Sequence, residues 1–276
     1  MIVFPKAKIN LGLQVTGKRS DGYHDIETIF YPVSLCDALE FVILPGPHKK
    51  DILTVTGINT GSDPENNLVI KAVRTLREKY SFPVFSIHLH KAIPVGAGLG
   101  GGSADAAYLL KAINRYFKLL ISETDLKAIA LELGSDCPFF INSIPSFAKG
   151  RGEILEPVIP VLKDYYLVLL NPRIIINTRE AYLHCRPKKP SASLLQLLNS
   201  PITEWKELII NDFEVFAFKM HPLISEFKNE LYHSGALFSL MSGSGSSVYG
   251  IFREKPKIPD KLKDFVIYEG YFGANS

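Results

Sequence analysis

The chain of 276 residues carries 31 Lys and Arg against 28 Asp and Glu, a formal charge of +3, with 46% hydrophobic and 21% charged residues. That length holds one large domain or two ordinary ones, and the apolar share is that of a folded globular chain, which excludes whole-chain disorder. So weak a charge does not mark a nucleic-acid or membrane-surface binder, whose Lys and Arg gather in patches.

At the N-terminus, MIVFPKAKIN sets Pro5, Lys6 and Lys8 where a signal peptide needs an unbroken apolar core. KINLGLQVT follows, with Ile9, Leu11, Leu13 and Val15 alternating against Lys8, Asn10, Gly12 and Gln14. This is the period of a half-buried strand, with Lys8 and Asn10 on a face that Gly12 leaves open. A turn at Ser20-Asp21-Gly22 leads to a second strand through Ile26, Thr28, Phe30 and Tyr31, and LEFVIL and ILTVTG add two more. NNLVIKAVRTLREKY has the helical period, with Asn66 or Asn67 as N-cap. VFSIHLH alternates as a strand, and its histidines follow that alternation rather than a metal spacing. A helix with Ala106, Ala107, Leu109, Leu110, Ile113 and Phe117 on one side comes next, then a second one opened by Ser122 and Asp125 and stopped at Gly134.

Beyond about residue 155 the pattern restarts. YYLVLL reads as a buried strand, Arg186 to Pro190 as a surface loop, and helices are predicted at 205–220 and 222–232. Strands are predicted near 236–240, 247–252 and 265–268. The uncharged run Leu231–Phe252 is not a membrane span, because its 22 residues include four Gly and six Ser. Strands and helices without regular βαβ alternation indicate an α+β chain, divided into domains at 1–155 and 156–276. Cys36, Cys137 and Cys185 are odd in number, far apart and without a CxxC pair, which fits a reducing cytoplasm and neither a disulfide framework nor a zinc site.

The most informative stretch is Pro94-Val95-Gly96-Ala97-Gly98-Leu99-Gly100-Gly101-Gly102-Ser103-Ala104, with five glycines in seven positions running into a helix. Bare backbone lets a ligand approach the amides, and a helix start adds unsatisfied N–H groups and about half a positive charge. Together they make an anion site whose usual occupant is phosphate; Ser103 is placed to cap the helix, bond a phosphate or meet its metal ion. A plain turn needs only one or two glycines. Gly96, Gly98 and Gly101 satisfy G-x-G-x-x-G, but no strand ending in an acidic residue follows at the dinucleotide-fold distance. A P-loop is excluded because Gly101 is followed by Gly102 and Ser103. Protein kinases are excluded by the absence of HRD and DFG elements.

PxxxGLGGGSA entering a helix resembles the ATP loop of the GHMP kinases (galactokinase, homoserine kinase, mevalonate kinase, phosphomevalonate kinase). PKAKINLGLQVTGKRSDGYHDIET near the start and SLMSGSGSSVYGIF near the end resemble the family's other two motifs, in the same order. GKRSDGYH, GSDCPFF and FAKGRGEIL are similar, more narrowly, to the branch acting on a cytidyl diphosphate sugar alcohol in non-mevalonate isoprenoid synthesis.

The resemblance implies a two-domain fold, an N-terminal ribosomal protein S5 domain 2-like half and a C-terminal ferredoxin-like α/β sandwich. It also implies transfer of the ATP γ-phosphoryl group, with Mg²⁺, to the substrate's 2-hydroxyl, a reaction carried by positioning and charge neutralisation. Lys8 then stands at the reacting hydroxyl and phosphate, Asp136 accepts or orients the hydroxyl proton with Lys8 keeping it ionised, and Asn10 holds substrate oxygens. Without the motifs, Lys8 reads as a solvated strand lysine and Asp136 as a turn former. Tyr23, His24 and Tyr182 correspond to residues that hold cytosine between two rings; the ordinary reading of Tyr182 is a core aromatic. Asn67 and Lys91 correspond to ATP contacts, although an N-cap and a surface lysine account for them equally, and Ser103 is the candidate Mg²⁺ ligand. Gly243 and Gly245 belong to the third motif or to a hairpin turn. Asp105, at the second helical position, departs from the small or amide residue common there. No nucleic-acid, membrane or obligate protein partner is implied. Competing readings are another GHMP substrate, a nicotinamide-dependent oxidoreductase and a non-catalytic nucleotide- or RNA-binding module.

Overall fold

The computed structural model describes residues 1–59, 61 and 63–273. The chain forms two compact units, each assembled from separate stretches. The first comprises Met1–Ala7, Leu35–Val95 and Gly100–Ile144; the second comprises Lys8–Ser34, Gly96–Leu99 and Pro145–Ser276. This partition differs from the sequence-based boundary at 155–156, which falls inside a strand of the second unit.

The first unit contains β1 (Ile2–Val3), β4 (Ala38–Ile43), β5 (Ile52–Gly57) and β6 (Phe85–Lys91), in the sheet order β1-β4-β6-β5. β5 and β6 run parallel, which requires the crossover that α1 (Leu68–Arg77) supplies; β1–β4 and β4–β6 are antiparallel. The register aligns Leu39 with Leu89 and Phe41 with Ile87, all fully buried, so alternate residues build one core face. The other face carries His88 and His90, each within hydrogen-bond distance of Thr56 Oγ1, at 2.9 and 3.0 Å. Among the described residues no group of three or more His, Cys, Asp or Glu could hold a metal ion.

Asn67, rather than Asn66, caps α1: its side chain accepts from Val69 N at 2.9 Å. α2 (Gly101–Phe117) starts inside the glycine-rich segment, with Gly100 at the N-cap position. Ser103 is therefore the third helical residue and not its cap, and Asp105 is the fifth residue rather than the second. α3 (Glu123–Leu133) opens on the expected Ser122 cap, which accepts from Asp125 N. It ends at Gly134, whose φ of 166° is ordinary extended backbone. α4 (Cys137–Asn142), with Pro138 in its first turn, packs on α2 and α3.

The second unit has two sheets. One, ordered β2-β3-β7-β8, comprises β2 (Lys6–Lys18), β3 (His24–Cys36), β7 (Ser146–Lys149) and β8 (Ile154–Pro157). The other, β10-β11-β9-β12, comprises β9 (Tyr166–Leu170), β10 (Phe238–Met241), β11 (Val248–Phe252) and β12 (Val266–Tyr271), all antiparallel. α5 (Thr178–His184), α6 (Leu194–Leu197), α7 (Trp205–Leu208), α8 (Glu214–Met220), α9 (Pro222–His233) and α10 (Asp260–Lys263) complete it.

Two expectations are corrected here. β2 is buried on both faces, not half-buried: a Cβ on Gly12 would lie 2.7 Å from Leu194 and 2.9 Å from Ile209, so that face is covered. The helix expected over 205–220 is broken between α7 and α8, because residues 210–212 pair with β2 instead. Leu13 N donates to Ile210 O at 2.9 Å, Asp212 N to Leu13 O at 2.9 Å, and Val15 N to the Asp212 carboxylate at 2.7 Å. Backbone groups satisfied by a neighbouring strand cannot also close helical turns.

No described helix is long and apolar enough to cross a membrane, and the three cysteines are free.

Candidate active site

In the second unit, alternation along β2 places Lys8 and Asn10 side by side, and the fold closes over them. Lys8 is 3% exposed and Asn10 is 1% exposed. The Lys8 ammonium donates to Asn10 Oδ1 at 2.6 Å and to the Gly98 carbonyl at 3.0 Å, and lies 5.1 Å from the centre of the Phe30 ring. Asn10 Nδ2 donates to Thr28 Oγ1 at 2.8 Å, and Thr28 in turn donates to Gly12 O at 2.6 Å. Ser242 of the third glycine motif joins them, accepting from Asn10 N at 3.2 Å and donating to Gly98 O at 2.9 Å. Asn211 holds that motif from outside, its amide donating to the carbonyls of Met241 and Gly243 at 2.8 Å each. A buried charge needs such partners, and the amide and carbonyl groups named here are fixed dipoles.

The glycines of residues 94–104 divide by their reasons. Gly96, Gly98 and Gly100 have φ of 66°, 76° and 71°, a region that favours glycine. Gly98 is also forced by packing, since a Cβ there would sit 1.9 Å from Ser242 O. In the first unit a Cβ on Gly101 would lie 2.8 Å from Ile93 and 3.2 Å from the Lys91 ammonium. Gly102 is different: it is exposed, and its nearest neighbour would be Leu68 at 3.7 Å. This is the open main chain at a helix start that an anion can reach. Leu68 follows Asn67, so the start of α1 lies against the start of α2. Ala97 and Leu99 are buried, whereas Val95 is exposed and Pro94 intermediate.

Also in the first unit, the Cys137 thiol is within hydrogen-bond reach of Ser103, which sets the start of α4, and with it Asp136, against the first turns of α2. Asp136 occupies the N-cap position of α4 without making a cap bond. Burial pushes the Cys137 thiol up to about 11, so it is a protonated core residue and no nucleophile.

Lys91 is not the surface lysine of the sequence reading, nor is it free to meet a nucleotide. It is 3% exposed, and its ammonium is bonded to both Asp37 and Asp105. Burial first, then the neighbouring Asp37, raises the Asp105 carboxyl against the opposing pull of Lys91. Asp105 thus points inward, onto Lys91.

Tyr23 is 53% exposed at the end of the Ser20–Gly22 turn, and the Arg151 guanidinium lies 4.8 Å from its ring centre. His24 stacks on Tyr182, with ring centroids 4.9 Å apart and planes at 15°, and Tyr182 meets Phe213 edge-on at 4.8 Å. A base inserted between two rings needs roughly 7 Å, two van der Waals contacts, so His24 and Tyr182 enclose no slot in this state. Sequence reasoning missed Arg151, Asp37 and Ser242 as contributors. FAKGRGEIL and SLMSGSGSSV signalled two of them; nothing local marked Asp37.

The chain is a GHMP kinase, as matches to both domain patterns of that family show. The pattern described as GHMP kinases N terminal domain matches residues 67–143, and GHMP kinases C terminal matches residues 194–267. The 4-diphosphocytidyl-2-C-methyl-D-erythritol kinase of Parabacteroides distasonis is 51% identical over 98% of this chain and 99% of its own length. That of Bacteroides thetaiotaomicron is 48% identical over 94% and 95%. A crystal structure of 4-(cytidine 5'-diphospho)-2C-methyl-D-erythritol kinase superposes with TM-score 0.74 at 32% identity, covering 91% of this chain and 90% of that one. Phosphomevalonate kinase of Streptococcus pneumoniae, at 12% identity and TM-score 0.66 over 98% and 99%, shares the fold alone. The chain belongs to the 4-diphosphocytidyl-2-C-methyl-D-erythritol kinase family.

Proposed function

We propose that this protein transfers the γ-phosphoryl group of ATP to the 2-hydroxyl of 4-diphosphocytidyl-2-C-methyl-D-erythritol, in non-mevalonate isoprenoid precursor synthesis in the cytoplasm. The observation that carries this reading is 51% identity over 98% of this chain to a kinase of that name. Magnesium enters as part of the nucleotide substrate. The half-buried Ser103 hydroxyl in the first turns of α2 would hold it together with phosphate oxygens, and the ion would offset phosphate charge.

In the reaction the acceptor oxygen forms a bond to the γ-phosphorus, the bond from that phosphorus to the β,γ-bridging oxygen breaks, and ADP leaves with the electron pair. Asp136 takes the acceptor's proton, and Lys8 offsets charge on the transferring group. Its Gly98 and Asn10 partners hold the Lys8 ammonium in place beforehand, so little reorganisation is needed. Amides of residues 96–104 receive the phosphates, and Asn67 is a further ATP contact. Asn10 orients the acceptor, and the exposed Tyr23 ring stacks on the cytosine beside the closed His24–Tyr182 pair. The aromatic cluster favours a cytidyl substrate over mevalonate or homoserine, which have no ring to stack.

A coupled ATP-consumption assay with Mg²⁺ tests this directly. Turnover should appear with the cytidyl substrate and not with homoserine or mevalonate; turnover with homoserine alone rejects the substrate, and tight NADH binding without ATP binding rejects the kinase.

A further inference from the structure

Three buried charges underlie the start of α2. Lys91 Nζ, at the end of β6, is bonded to Asp37 and reaches Asp105 Oδ2 at 2.8 Å. The three residues are 3%, 1% and 2% exposed. The other Asp37 oxygen accepts from Ala92 N at 2.6 Å and Ile93 N at 2.8 Å. Asp105 follows Gly101 by one helical turn, and a Cβ on Gly101 would lie 2.8 Å from Ile93 and 3.2 Å from the same Lys91 ammonium. The remaining Asp105 oxygen is buried without a hydrogen-bond partner.

A buried ion cluster is a poor device for stability alone, because desolvation of its charges offsets most of their attraction. What this one grips is more specific. Glycine-rich backbone loses the most freedom on ordering, yet its amides stabilise an anion well only when held in advance. Asp37 ties down the chain leaving β6, and Asp105 ties down the first turns of α2, both on a single ammonium.

Building on the kinase reading, we propose that Asp37 and Asp105 are positioning residues that act through Lys91 to hold the phosphate-binding main chain at Gly100–Ala104, with Lys91 serving from beneath and not as a nucleotide ligand. The decisive comparison is Asp105→Ala with Asp105→Asn. Asn keeps a carbonyl for Lys91, and its nitrogen would occupy the oxygen site that has no partner to lose.

Binding of a non-hydrolysable ATP analogue is measured by calorimetry, and amide hydrogen exchange over residues 100–104 is followed beside it. Asp105→Ala should weaken the analogue by about 10-fold or more and speed exchange in that segment. The KM for the cytidyl substrate should stay within about two-fold, and Asp105→Asn should restore both readouts. In a Lys91→Met background Asp105→Ala should add nothing further. A folded Asp105→Ala protein with unchanged analogue affinity and exchange overturns the inference, as does full additivity with Lys91→Met. If Lys91→Met does not fold, the Ala and Asn pair decides alone. Analogue binding and exchange need no acceptor, so a wrong acceptor assignment leaves this test standing.

Discussion

Lys8 Nζ donates to the main-chain oxygen of Gly98 at 3.0 Å across 90 residues of sequence. A strand ammonium and the glycine-rich loop therefore share one hydrogen-bonded network, closed by Ser242. The pairing fixes where the positive charge stands relative to part of the cradle, and it makes the loop's conformation depend on β2.

Gly98→Ala should be the most damaging change in the loop. Its Cβ would meet Ser242 O at 1.9 Å, and its φ of 76° adds strain. A loss of about 2–4 kcal/mol is expected, read as a lowered urea midpoint. Gly102→Ala, with 3.7 Å to its nearest neighbour, should fold normally and raise the KM for ATP instead. Equal stability of the two variants would contradict this division of roles.

Lys8→Met and Asp136→Asn should each lower kcat by about 100- to 10,000-fold while leaving ATP affinity within a few-fold. Single-turnover kinetics and nucleotide titration separate the two effects. Unchanged turnover in Asp136→Asn removes Asp136 from its role.

Tyr23→Ala should raise the KM for the cytidyl substrate by about 5- to 150-fold, the range that loss of one base stack of ~1–3 kcal/mol gives. The KM for ATP should not move. Equal effects on both would show a general loss of structure.

His24 titrates below its ordinary value, because burial and then the Lys18 charge disfavour the imidazolium. With the folded-state value depressed, the unfolded chain takes up the proton first. The His24 contribution therefore destabilises the fold as pH falls below about 6.5, until the folded form also protonates. Melting temperatures between pH 7.5 and 5 should fall less steeply in His24→Gln than in the wild type, and identical slopes would oppose this.

Burial pushes the Cys137 and Cys185 thiols up to about 11 each. Both should resist iodoacetamide at pH 8 in the folded protein and react after denaturation, as mass spectrometry can follow. Rapid native alkylation of Cys137 would contradict its core assignment.

Much of the site was readable before folding. The glycine run entering a helix, the shared face of Lys8 and Asn10, and the Asn67 and Ser122 caps depend on local periodicity and backbone chemistry, which neighbouring residues carry. Tertiary structure alone decided what covers each face. The strand period of β2 is real, yet Leu194 and Ile209 bury the side that Gly12 was expected to leave open. The helical pattern of 205–220 yields where Leu13 offers backbone partners to residues 210 and 212. Lys91 looks like any strand-end lysine until Asp37 and Asp105 close on it, and the Tyr182 ring is covered by His24. A sequence window reports how often apolar residues recur. Burial and charge pairing are set by segments tens to hundreds of residues away, whose approach no local pattern encodes.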